Sequence, residues 1–550
     1  MFIVLSRSGA DVVATDPETG ASERVTDIAE YVRRREVERP RWVWDDTSRW
    51  YPELLDHGVR VERCHDLRLC HTILRNSVLT TDSRLAQSPR SSWDAPPTAI
   101  RRPDTSTALF ALDDDEPIAP PDSVGEFADQ QEAVAGSEQP GRIARLLAAE
   151  SAGALIAVEM AFCGLPWRAD VHDRILEDLL GPRPAVGERP QRLAQMVPML
   201  RDLLEAPDLN PDSPVDLLKA LRNAGMNVKS TGKWELREIK HPVIEPLLEY
   251  KRMARLLSAN GWHWLDTWIT DGRFRPVYVP GGVVTGRWAS DGGGALQLPK
   301  QVRGAVIADD GWKLVVADAS QLEPRILAAL AGDRDMVAAG SAGDLYAGIV
   351  ASGAVDTRDQ AKVAMLGAMY GATTGESGRL MPKLARAYPR AIGMVEEAAR
   401  AGERGEIVTT RLGRSSPLPG SEWLATQSQA YDESASEADT SRARGRARAW
   451  GRFTRNFIVQ GSAAEWALCW MASIRRRLTA LSGDAWLTHA PHLVFFLHDE
   501  VVVHCPEHLA KRVEEEIRAA AVEAGTLLFG EMPAEFPVTV AIVDNYGQAK

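Results

Sequence analysis

Short apolar runs alternate with helical stretches over residues 1–80 of the chain. The runs FIVL, DVVAT and RWVW consist of residues that favour strands, and the stretch ERVTDIAEYVRRREV between them spaces its apolar positions as a helix does. From residue 142 to about 265 the pattern is helical, with breaks at GLPW and NPDSP. Strands and helices mix after that point, and no internal repeat is visible. The pattern predicts an α+β chain.

Residues 80–141 break this pattern, because they are rich in Ser, Pro, Thr and Asp. Nine acidic residues and no Lys or Arg fall between positions 113 and 141. Such a composition predicts a long flexible insertion. It also contributes most of the net charge of −12, while Arg444, Arg448 and Arg452 repeat at helical spacing elsewhere. That row suits either phosphate contacts or a solvated helix face, so the overall charge does not exclude a nucleic acid.

Length and composition limit the classes of protein to consider. At 550 residues the chain is too long for one hydrophobic core and should form several domains. No apolar run approaches the roughly 18 residues of a membrane span, and the start MFIVLSRSG turns polar too soon for a signal peptide. Five unevenly spaced cysteines suit reduced thiols. We therefore expect a cytoplasmic protein that makes no membrane contact.

Two short motifs place carboxylates next to predicted strands. In KLVVADASQLEPR, Asp318 follows a buried strand at 314–317 and precedes a helix. In LVFFLHDEVVVH, two strand-like runs flank His498, Asp499 and Glu500, which predicts a tight hairpin with two carboxylates at its tip. Adjacent acids repel, and a divalent cation shared with Asp318 would offset that repulsion. Taken singly, the first motif also fits an ordinary helix cap, and the second an acidic turn.

A third motif predicts a helix with cations and an aromatic ring on one face. In VDTRDQAKVAMLGAMYGATTG, the spacing of Thr and Gln fits a capping box. Behind this cap, one helix face repeats every four residues: Arg358, Lys362, Leu366 and Tyr370. That face suits a triphosphate at one end and a base or sugar at the other. An amphipathic helix with solvated cations is the alternative.

Taken together, the three motifs resemble motifs A, B and C of family A DNA polymerases, the bacterial DNA polymerase I group. The family patterns D-Y-S-Q-I-E-L-R, R-x3-K-x3-F-G-x2-Y-G and H-D-E have counterparts, in order, at 318–325, 358–371 and 498–500. TGRWAS at 285–290, LQLP at 296–299 and NFIVQGSAAE at 456–465 resemble its T-G-R-L-S-S, L-Q-N-I-P and N-x3-Q-G-T-A-A-D. The likeness runs from about residue 156 to the end, and so many ordered matches are specific.

The resemblance implies a right-hand polymerase of the Klenow-fragment type, with palm, fingers and thumb and an N-terminal ribonuclease H-like exonuclease-type domain. We expect a short form that lacks the 5′ nuclease domain of longer relatives. The implied domains are a degenerate 3′–5′ exonuclease-like domain at 1–155 with the 80–141 insertion, thumb at 156–265, palm with motif A at 266–335, fingers with motif B at 336–454, and palm with motif C at 455–550.

The resemblance also implies the metal chemistry. Asp318 and Asp499 would bridge two Mg²⁺ ions, for which Mn²⁺ could substitute. The Ala319 carbonyl would be a further metal ligand, and Glu500 an auxiliary catalytic acid. Lys362 would protonate the departing pyrophosphate. In two-metal nucleotidyl transfer, one ion activates the primer 3′-OH and the other neutralises the leaving group.

The remaining implied roles divide between the incoming nucleotide and the DNA. Arg358 and Lys362 would hold the triphosphate, Tyr370 would stack at the insertion site, and a glutamate gate would block a ribose 2′-OH. The implied nucleotide-binding residues are Arg358, Lys362, Leu366, Tyr370, the gate Glu323, Tyr346 and Gln321. The implied contacts with primer, template or minor groove are Arg287, Arg452, Asn456, Gln460 and His498. The expected partners are primer-template DNA and dNTPs, and we expect a monomer.

Several positions around the nucleotide depart from the family pattern. Leu366 replaces the motif B aromatic, Ala319 the motif A tyrosine, and Pro324 the leucine after the gate glutamate. A family D-I-H appears as DLY at 344–346, so Tyr346 stands in place of a nucleotide-contacting histidine. We expect intact metal and phosphate chemistry and altered packing around the sugar and base.

The exonuclease-type domain looks decayed. CHDLRLCH resembles the family's H-N-L-K-x-D, but Cys70 stands where the metal-binding Asp belongs. LAAESA resembles Y-A-A-E-D-A, with Leu147 for the Tyr and Ser151 for the second Asp. Asp16 and Glu18 form a D-x-E, yet DPETG is more typical of a turn between strands. A two-metal exonuclease needs at least three carboxylates, so we expect no 3′–5′ exonuclease activity. The adjacent Cys-His pairs match no common zinc site.

Three functions remain open at this stage, and a DNA polymerase is favoured. A single-subunit RNA polymerase shares the catalytic architecture, but Glu323 at the gate position argues against ribonucleotides. A catalytically silent DNA-binding relative would account for the decayed exonuclease motifs and the altered nucleotide pocket.

Overall fold

The computed structural model describes residues 1–8, 11–95, 122–185, 187–372, 375–430, 432 and 434–549. Their contacts divide the chain into two units. The first unit comprises residues 1–163, 277–291 and 315–542, and the second comprises residues 164–276, 292–314 and 543–550. All the candidate site residues belong to the first unit. The predicted boundaries of thumb, palm and fingers stay predictions.

The N-terminal part of the first unit contains a five-stranded sheet in the order β3-β2-β1-β4-β5. Its strands are β1 Phe2–Ser8, β2 Asp11–Thr15, β3 Ser22–Val25, β4 Arg41–Trp44 and β5 Cys64–Asp66. Its helices are α1 Ile28–Arg35, α2 Thr47–Asp56, α3 Leu67–Asn76, α4 Arg84–Gln87, α5 Ser123–Ala135 and α6 Pro140–Cys163. β1 pairs antiparallel with β2 and parallel with β4. Val4, Val43, Leu67 and Phe127 pack together in the core.

Part of the predicted acidic insertion is ordered. Helices α4 and α5 lie within residues 80–141, so the prediction of flexibility was wrong there, while residues 96–121 of that segment lie outside the described residues. On α5, Gln130 Oε1 lies 2.7 Å from His65 Nε2, and Glu126 Oε1 lies 2.9 Å from His71 Nδ1. All four of these side chains are buried. A few buried partners thus order a segment whose composition predicts disorder.

Helix α6 is long and apolar enough to cross a membrane, judged by length and composition. An 18-residue window has a mean hydropathy of 1.7, and 78% of that window is buried inside the structure. The expectation that no apolar run approaches a membrane span was therefore wrong. Buried core helices pass the same test, so this helix, found among the described residues, is a weak indication of a span.

The second unit is mainly helical. Its helices are α7 Ala169–Leu180, α8 Gln191–Leu203, α9 Pro214–Asn223, α10 Lys233–Arg237, α11 Ile244–Asn260 and α12 Trp262–Trp268. Short strands β6 Leu165–Pro166, β7 Ile269–Thr270 and β8 Arg273–Phe274 pair in the order β6-β8-β7. Trp167, His172, Trp264 and Phe274 form its aromatic cluster, with contacting ring centroids 5.1–6.1 Å apart.

A four-stranded sheet carries the two carboxylate motifs in the order β12-β13-β11-β14. Its strands are β11 Trp312–Ala319, β12 His492–Leu497, β13 Glu500–Pro506 and β14 Val538–Val543, and a separate short pair joins β9 Tyr278–Val279 to β10 Ala289–Ser290. The antiparallel pairing of β12 with β13 confirms the predicted hairpin. The Tyr278 hydroxyl donates to Phe496 O at 2.6 Å and accepts from Phe496 N at 2.9 Å, which secures β12 just after a register shift.

The remaining helices of the first unit follow β11 and β13 along the chain. They are α13 Leu322–Ala331, α14 Arg334–Gly340, α15 Leu345–Ala351, α16 Arg358–Tyr370, α17 Gly375–Ala387, α18 Pro389–Glu403, α19 Ser421–Ala430, α20 Glu437–Ser482 and α21 Ala510–Phe529. Thr357 caps α16 by accepting from Gln360 N at 3.2 Å, but the Gln360 side chain accepts from Asp356 N rather than from Thr357 N, so only the first half of the predicted capping box forms. Helix α20 has 46 residues and begins with a capping box between Ser436 and Asp439.

Candidate active site

Two carboxylates meet where β11 ends and the β12–β13 hairpin turns. The Ala319 N–H donates to Asp499 O at 2.9 Å, so the backbone after Asp318 is bonded directly to the turn. Burial, and then the charge of Asp318, raises the pKa of Asp499 to about 6. The second of these causes means that the two acids lie close enough to repel each other. The structure therefore brings together the motif of Asp318 and the motif of Asp499, which are far apart in the sequence.

The hairpin tip differs in detail from the prediction. The two-residue turn consists of His498 and Asp499, and His498 takes the left-handed backbone (φ 61°) with an exposed side chain. Glu500 pairs with Leu497 as the first residue of β13 and is buried. The expectation of two carboxylates at the tip was wrong, because the strand begins at Glu500. Partial burial of the imidazole ring, and then the charge of Arg287, lower the pKa of His498.

The donor set fits a divalent cation completed by a substrate. Magnesium in nucleotide sites is held by one or two carboxylates together with phosphates and water, rather than by a closed cage of side chains. Asp318 and Asp499 supply such a pair, and the carbonyl of the adjacent Ala319 belongs to the same strand end. Among the described residues, no group of three or more His, Cys, Asp or Glu side chains is arranged to hold a metal by itself. The site therefore fits an ion that arrives with a phosphate ligand.

Three side chains behind the carboxylates form a hydrogen-bonded row. Gln321 adopts the left-handed backbone (φ 56°) after β11, and its Nε2 donates to Asp344 Oδ1 at 2.8 Å. On the other oxygen, Asp344 Oδ2 accepts from Arg358 Nε at 2.8 Å. The Arg358 guanidinium lies over the ring of Tyr346, 5.4 Å from its centroid. Motif A and motif B are thus connected through an aspartate that the sequence did not single out as a site residue.

Asp344 pairs with Arg358, the cation that is predicted to hold the triphosphate. Burial alone would raise its pKa, but the hydrogen bond from Arg358 holds the pKa of Asp344 below its usual range. Asp344 also caps α15 by accepting from Tyr346 N at 3.0 Å. The sequence showed Asp344 only within the DLY match, and neither its capping of α15 nor its contact with Arg358 was predicted. The contact makes Asp344 an internal competitor for Arg358.

We expect Asp344→Asn to tighten dNTP binding. Asparagine is a good helix cap and keeps an oxygen for Gln321, while the negative charge facing Arg358 is removed. Half-exposed ion pairs contribute about 0.2–1 kcal/mol, so the gain should be up to about fivefold. Single-turnover kinetics over a range of dNTP concentrations measures it. Asp359→Asn, an exposed acid on α16, is the control, and weaker binding by Asp344→Asn would show that Asp344 orients Arg358 instead.

The exposed face of α16 follows the predicted spacing. Arg358, Lys362, Leu366 and Tyr370 are all exposed, with Leu366 at 39% and Tyr370 at 42%. The Tyr370 hydroxyl donates to Glu323 Oε2 at 3.0 Å, and Arg287 pairs with the same carboxylate. The gate glutamate is therefore held by a base-stacking candidate on one side and a DNA-contact candidate on the other. Tyr346 is buried beneath Arg358.

We expect Leu366→Phe to tighten apparent dNTP affinity with little change in maximal rate. The position is open, and a ring offers a broader contact to a sugar than Leu does. Aromatic contacts contribute about 0.5–1.5 kcal/mol, which corresponds to roughly two- to tenfold in affinity. Val363→Phe, on the same helix, is the matched control because it adds a ring on another face. Unchanged or weaker affinity for Leu366→Phe would place the sugar elsewhere.

Three of the five predicted DNA contacts, Arg452, Asn456 and Gln460, lie along one face of α20. Arg444, Arg448 and Arg452 are exposed, and Asn456 and Gln460 continue their spacing of four residues. Gln460 Oε1 accepts from Thr285 Oγ1 at 3.0 Å. The residues matching N-x3-Q therefore lie next to those matching T-G-R, as one surface for a duplex would require.

Comparison with known proteins agrees with this geometry. The family model described as DNA polymerase family A matches residues 189–548. The chain belongs to DNA polymerase family A. This confirms the resemblance predicted from the motifs.

Curated relatives of this family A chain are bacterial DNA polymerases I. The thermostable DNA polymerase I of Thermus filiformis is 25% identical over 345 residues, covering 57% of this chain and 38% of that protein. The enzyme of Chloroflexus aurantiacus is 26% identical over 323 residues, covering 53% and 31%. That of Mycobacterium bovis is 26% identical over 343 residues, covering 56% and 33%. The match thus spans about a third of the length of these relatives.

A solved structure shares the fold over the whole chain. The polymerase domain of Pol1 from M. smegmatis, in complex with DNA primer-template and dNTP, aligns with a TM-score of 0.69 and 17% identity. The alignment covers 100% of this chain and 95% of that domain. At this identity the likeness shows the fold, and it confirms the predicted α+β polymerase architecture.

The exonuclease-type motifs of this family A chain do not form an open acidic site. Cys70 is fully buried, with Sγ 3.7 Å from Ser151 Oγ, and burial raises its pKa well above the usual value. Asp16 caps an exposed turn after β2 by accepting from Glu18 N at 2.9 Å, which confirms the prediction of a turn. Asp66 is buried and accepts from Thr47 N at 2.7 Å. Asp16 and Asp66 thus serve a turn and a helix end.

Proposed function

We propose that this chain is a DNA-templated DNA polymerase that adds dNTPs to a primer 3′-OH by two-metal nucleotidyl transfer. One observation carries the proposal: Asp318 and Asp499 come together at the end of β11, and burial with mutual repulsion raises the pKa of Asp499 to about 6. Acids placed at such a cost are typical of functional sites. The family membership supports the same reaction class.

The residues divide the work by position. Asp318, Asp499 and the Ala319 carbonyl would hold Mg²⁺, with Mn²⁺ as a substitute and Glu500 as an auxiliary acid behind them. When bound, the ions would activate the primer 3′-OH and neutralise the leaving pyrophosphate. Arg358 binds the triphosphate after leaving Asp344, and Lys362 donates a proton to the departing pyrophosphate.

The flanking residues select and hold the substrates. Glu323, held by Tyr370 and Arg287, would exclude a ribose 2′-OH. Arg287, Gln460 and their neighbours Asn456, Arg452 and His498 contact the primer-template duplex. We also propose that the protein works as a cytoplasmic monomer in DNA repair or replication. Its five cysteines are all free and buried, which agrees with a reducing compartment.

Extension of a primed template in Mg²⁺, with dNTPs or with rNTPs, tests this function. A DNA polymerase extends with dNTPs alone, whereas an RNA polymerase accepts rNTPs because its gate is open. A silent DNA-binding relative binds the template without extending it. Glu323→Ala should admit rNTPs if the gate assignment is right.

We expect no degradation of a primer 3′ end in Mg²⁺ or Mn²⁺ without nucleotides. The positions matching exonuclease ligands hold Cys70 and Ser151, both buried, and Asp16 lies in an exposed turn. A labelled primer with a mismatched 3′ end, followed over hours, measures the activity. Degradation that survives Asp499→Ala and disappears with Asp16→Ala would show a working exonuclease.

A further inference from the structure

One buried ion pair connects the N-terminal module, residues 1–163, to the polymerase residues. Glu150 on α6 accepts from Arg414 Nη2, and the two side chains are 1% and 8% exposed. Glu150 belongs to the LAAESA segment, one residue before the Ser151 that replaces a family carboxylate. A segment that resembles part of an exonuclease site thus supplies a buried acid to Arg414, the last residue of TRLGR at 410–414.

The loop that carries Arg414 is held from the N-terminal side at several points. Arg142 Nη2 donates to Thr410 O at 2.6 Å, and Ser77 Oγ donates to Gly413 O at 2.7 Å. The Val78 N–H donates to Ser415 Oγ at 3.0 Å. We call residues 410–415 the bridging loop. Its backbone is positioned by the N-terminal module through both its polar groups and its arginine.

The bridging loop also contacts the turn that carries predicted DNA-contact residues, through Arg414. A Cβ added at Gly286 would lie 2.5 Å from Arg414 Nε, so the turn of T-G-R packs directly on that guanidinium. Gly286 also has φ 84°, a backbone conformation that disfavours any side chain. The turn continues into Arg287, and Thr285 Oγ1 donates to Gln460 at 3.0 Å. Arg414 therefore supports the turn from which Arg287 and Thr285 extend.

We propose that Glu150 is a positioning residue for the primer end, acting through Arg414 on the turn at 285–287. The proposal deepens the proposed function, because Arg287 and Gln460 are the residues expected to contact the primer duplex. Removing the acid leaves a buried guanidinium unpaired, so Arg414 shifts and the turn loses its support. The N-terminal module then helps to hold the primer end in position.

Glu159 provides a matched control on the same helix. It is also a buried acid of α6, and it pairs with Arg475 of α20, with Arg475 Nη2 to Glu159 Oε1 at 2.7 Å, and with Arg60. No contact described for Glu159 involves the bridging loop or the T-G-R turn. Glu150→Gln and Glu159→Gln should both lower the thermal midpoint. Only Glu150→Gln should affect the primer end.

Two measurements on the full chain test the proposal well below both thermal midpoints. In single-turnover insertion, Glu150→Gln should slow the maximal rate by roughly ten- to a hundredfold, since small misplacements of reacting groups have effects of that size. Apparent dNTP affinity should change less than about twofold, because Arg358 and Lys362, which would hold the triphosphate, are not involved. Glu159→Gln should match the wild type in both. Equal rates for the two variants would overturn the proposal.

A double substitution separates positioning from general destabilisation. If Glu150 acts through the T-G-R turn, Glu150→Gln should add little to the loss caused by Gln460→Ala, whereas independent effects would multiply. If Glu150→Gln does not fold, Glu150→Leu with Arg414→Met removes both charges together, and it should still slow insertion. Normal insertion by that folded pair, or multiplicative losses, would contradict the proposal.

Primer-template affinity without nucleotide keeps this proposal distinct from the proposed function. By fluorescence anisotropy, Glu150→Gln should bind a recessed primer-template roughly three- to tenfold more weakly than Glu159→Gln does, which reflects a loss of one or two contacts. A wild type that fails to extend any primer would reject the polymerase function, while this binding difference would still report on the ion pair. Identical affinities for the two variants would reject the positioning role.

Discussion

Asp318→Ala or Asp499→Ala is expected to abolish primer extension while leaving primer-template affinity nearly unchanged. The two carboxylates lie together at the end of β11, and each would share the metal ions with the other. Removing one leaves a single carboxylate of the pair, and the adjacent Glu500 is buried at the start of β13. Loss of one preorganised electrostatic group lowers rates by about a hundred- to a thousandfold, and loss of an ion should exceed this range. Duplex binding comes mainly from phosphate contacts and should stay within about twofold.

Rapid-quench extension and fluorescence anisotropy on one primer-template check both halves of this prediction. Asp335→Ala is the control, because Asp335 is an exposed acid in the first turn of α14. The control should extend at the wild-type rate. Extension within tenfold of the wild type by either active-site variant would reject the two-carboxylate mechanism. A large loss of DNA affinity would instead show that the carboxylates shape the duplex site.

Local sequence patterns predicted the parts of the site that depend on a single element. The apolar runs around Asp318 and Asp499 place them at strand ends, because strand pairing follows from residues close in the chain. The four-residue spacing of Arg358, Lys362 and Leu366 fixes their common face once Thr357 caps the helix. The family resemblance then supplied the order in which these elements combine.

Contacts between distant segments were not predictable in this way. Glu150 and Arg414 are 264 residues apart, and no periodicity relates them. Asp344 appeared in the sequence only within the DLY match, and its second oxygen meets Arg358 only after α15 and α16 pack side by side. The acidic composition around α5 predicted disorder, because composition does not show that Glu126 and Gln130 find buried partners. Such contacts depend on tertiary packing rather than on local propensity.

Lys362→Ala should lower the maximal insertion rate by about a hundred- to a thousandfold, the range for removing one preorganised charge from a transition state. Lys362 lies one turn after Arg358 and is exposed on the same face of α16. Arg358 is paired with Asp344, whereas no carboxylate of the described residues lies at ion-pair distance from Lys362. Lys362 is therefore the cation that can meet the leaving pyrophosphate without first breaking a contact.

One further variant decides whether Lys362 supplies charge or a proton, and a second serves as a control. Lys362→Arg keeps the charge but holds its proton too firmly to donate it. If proton transfer matters, Lys362→Arg should restore dNTP affinity while the single-turnover rate stays at least tenfold low, about the smallest effect of losing general acid catalysis. If charge alone matters, it should recover most of the rate. Lys383→Ala, an exposed lysine of α17, should extend normally. A Lys362→Ala rate within tenfold of the wild type would show that the leaving group lies away from α16. Removing an unpaired cation from beside a developing negative charge should slow the reaction far more than that.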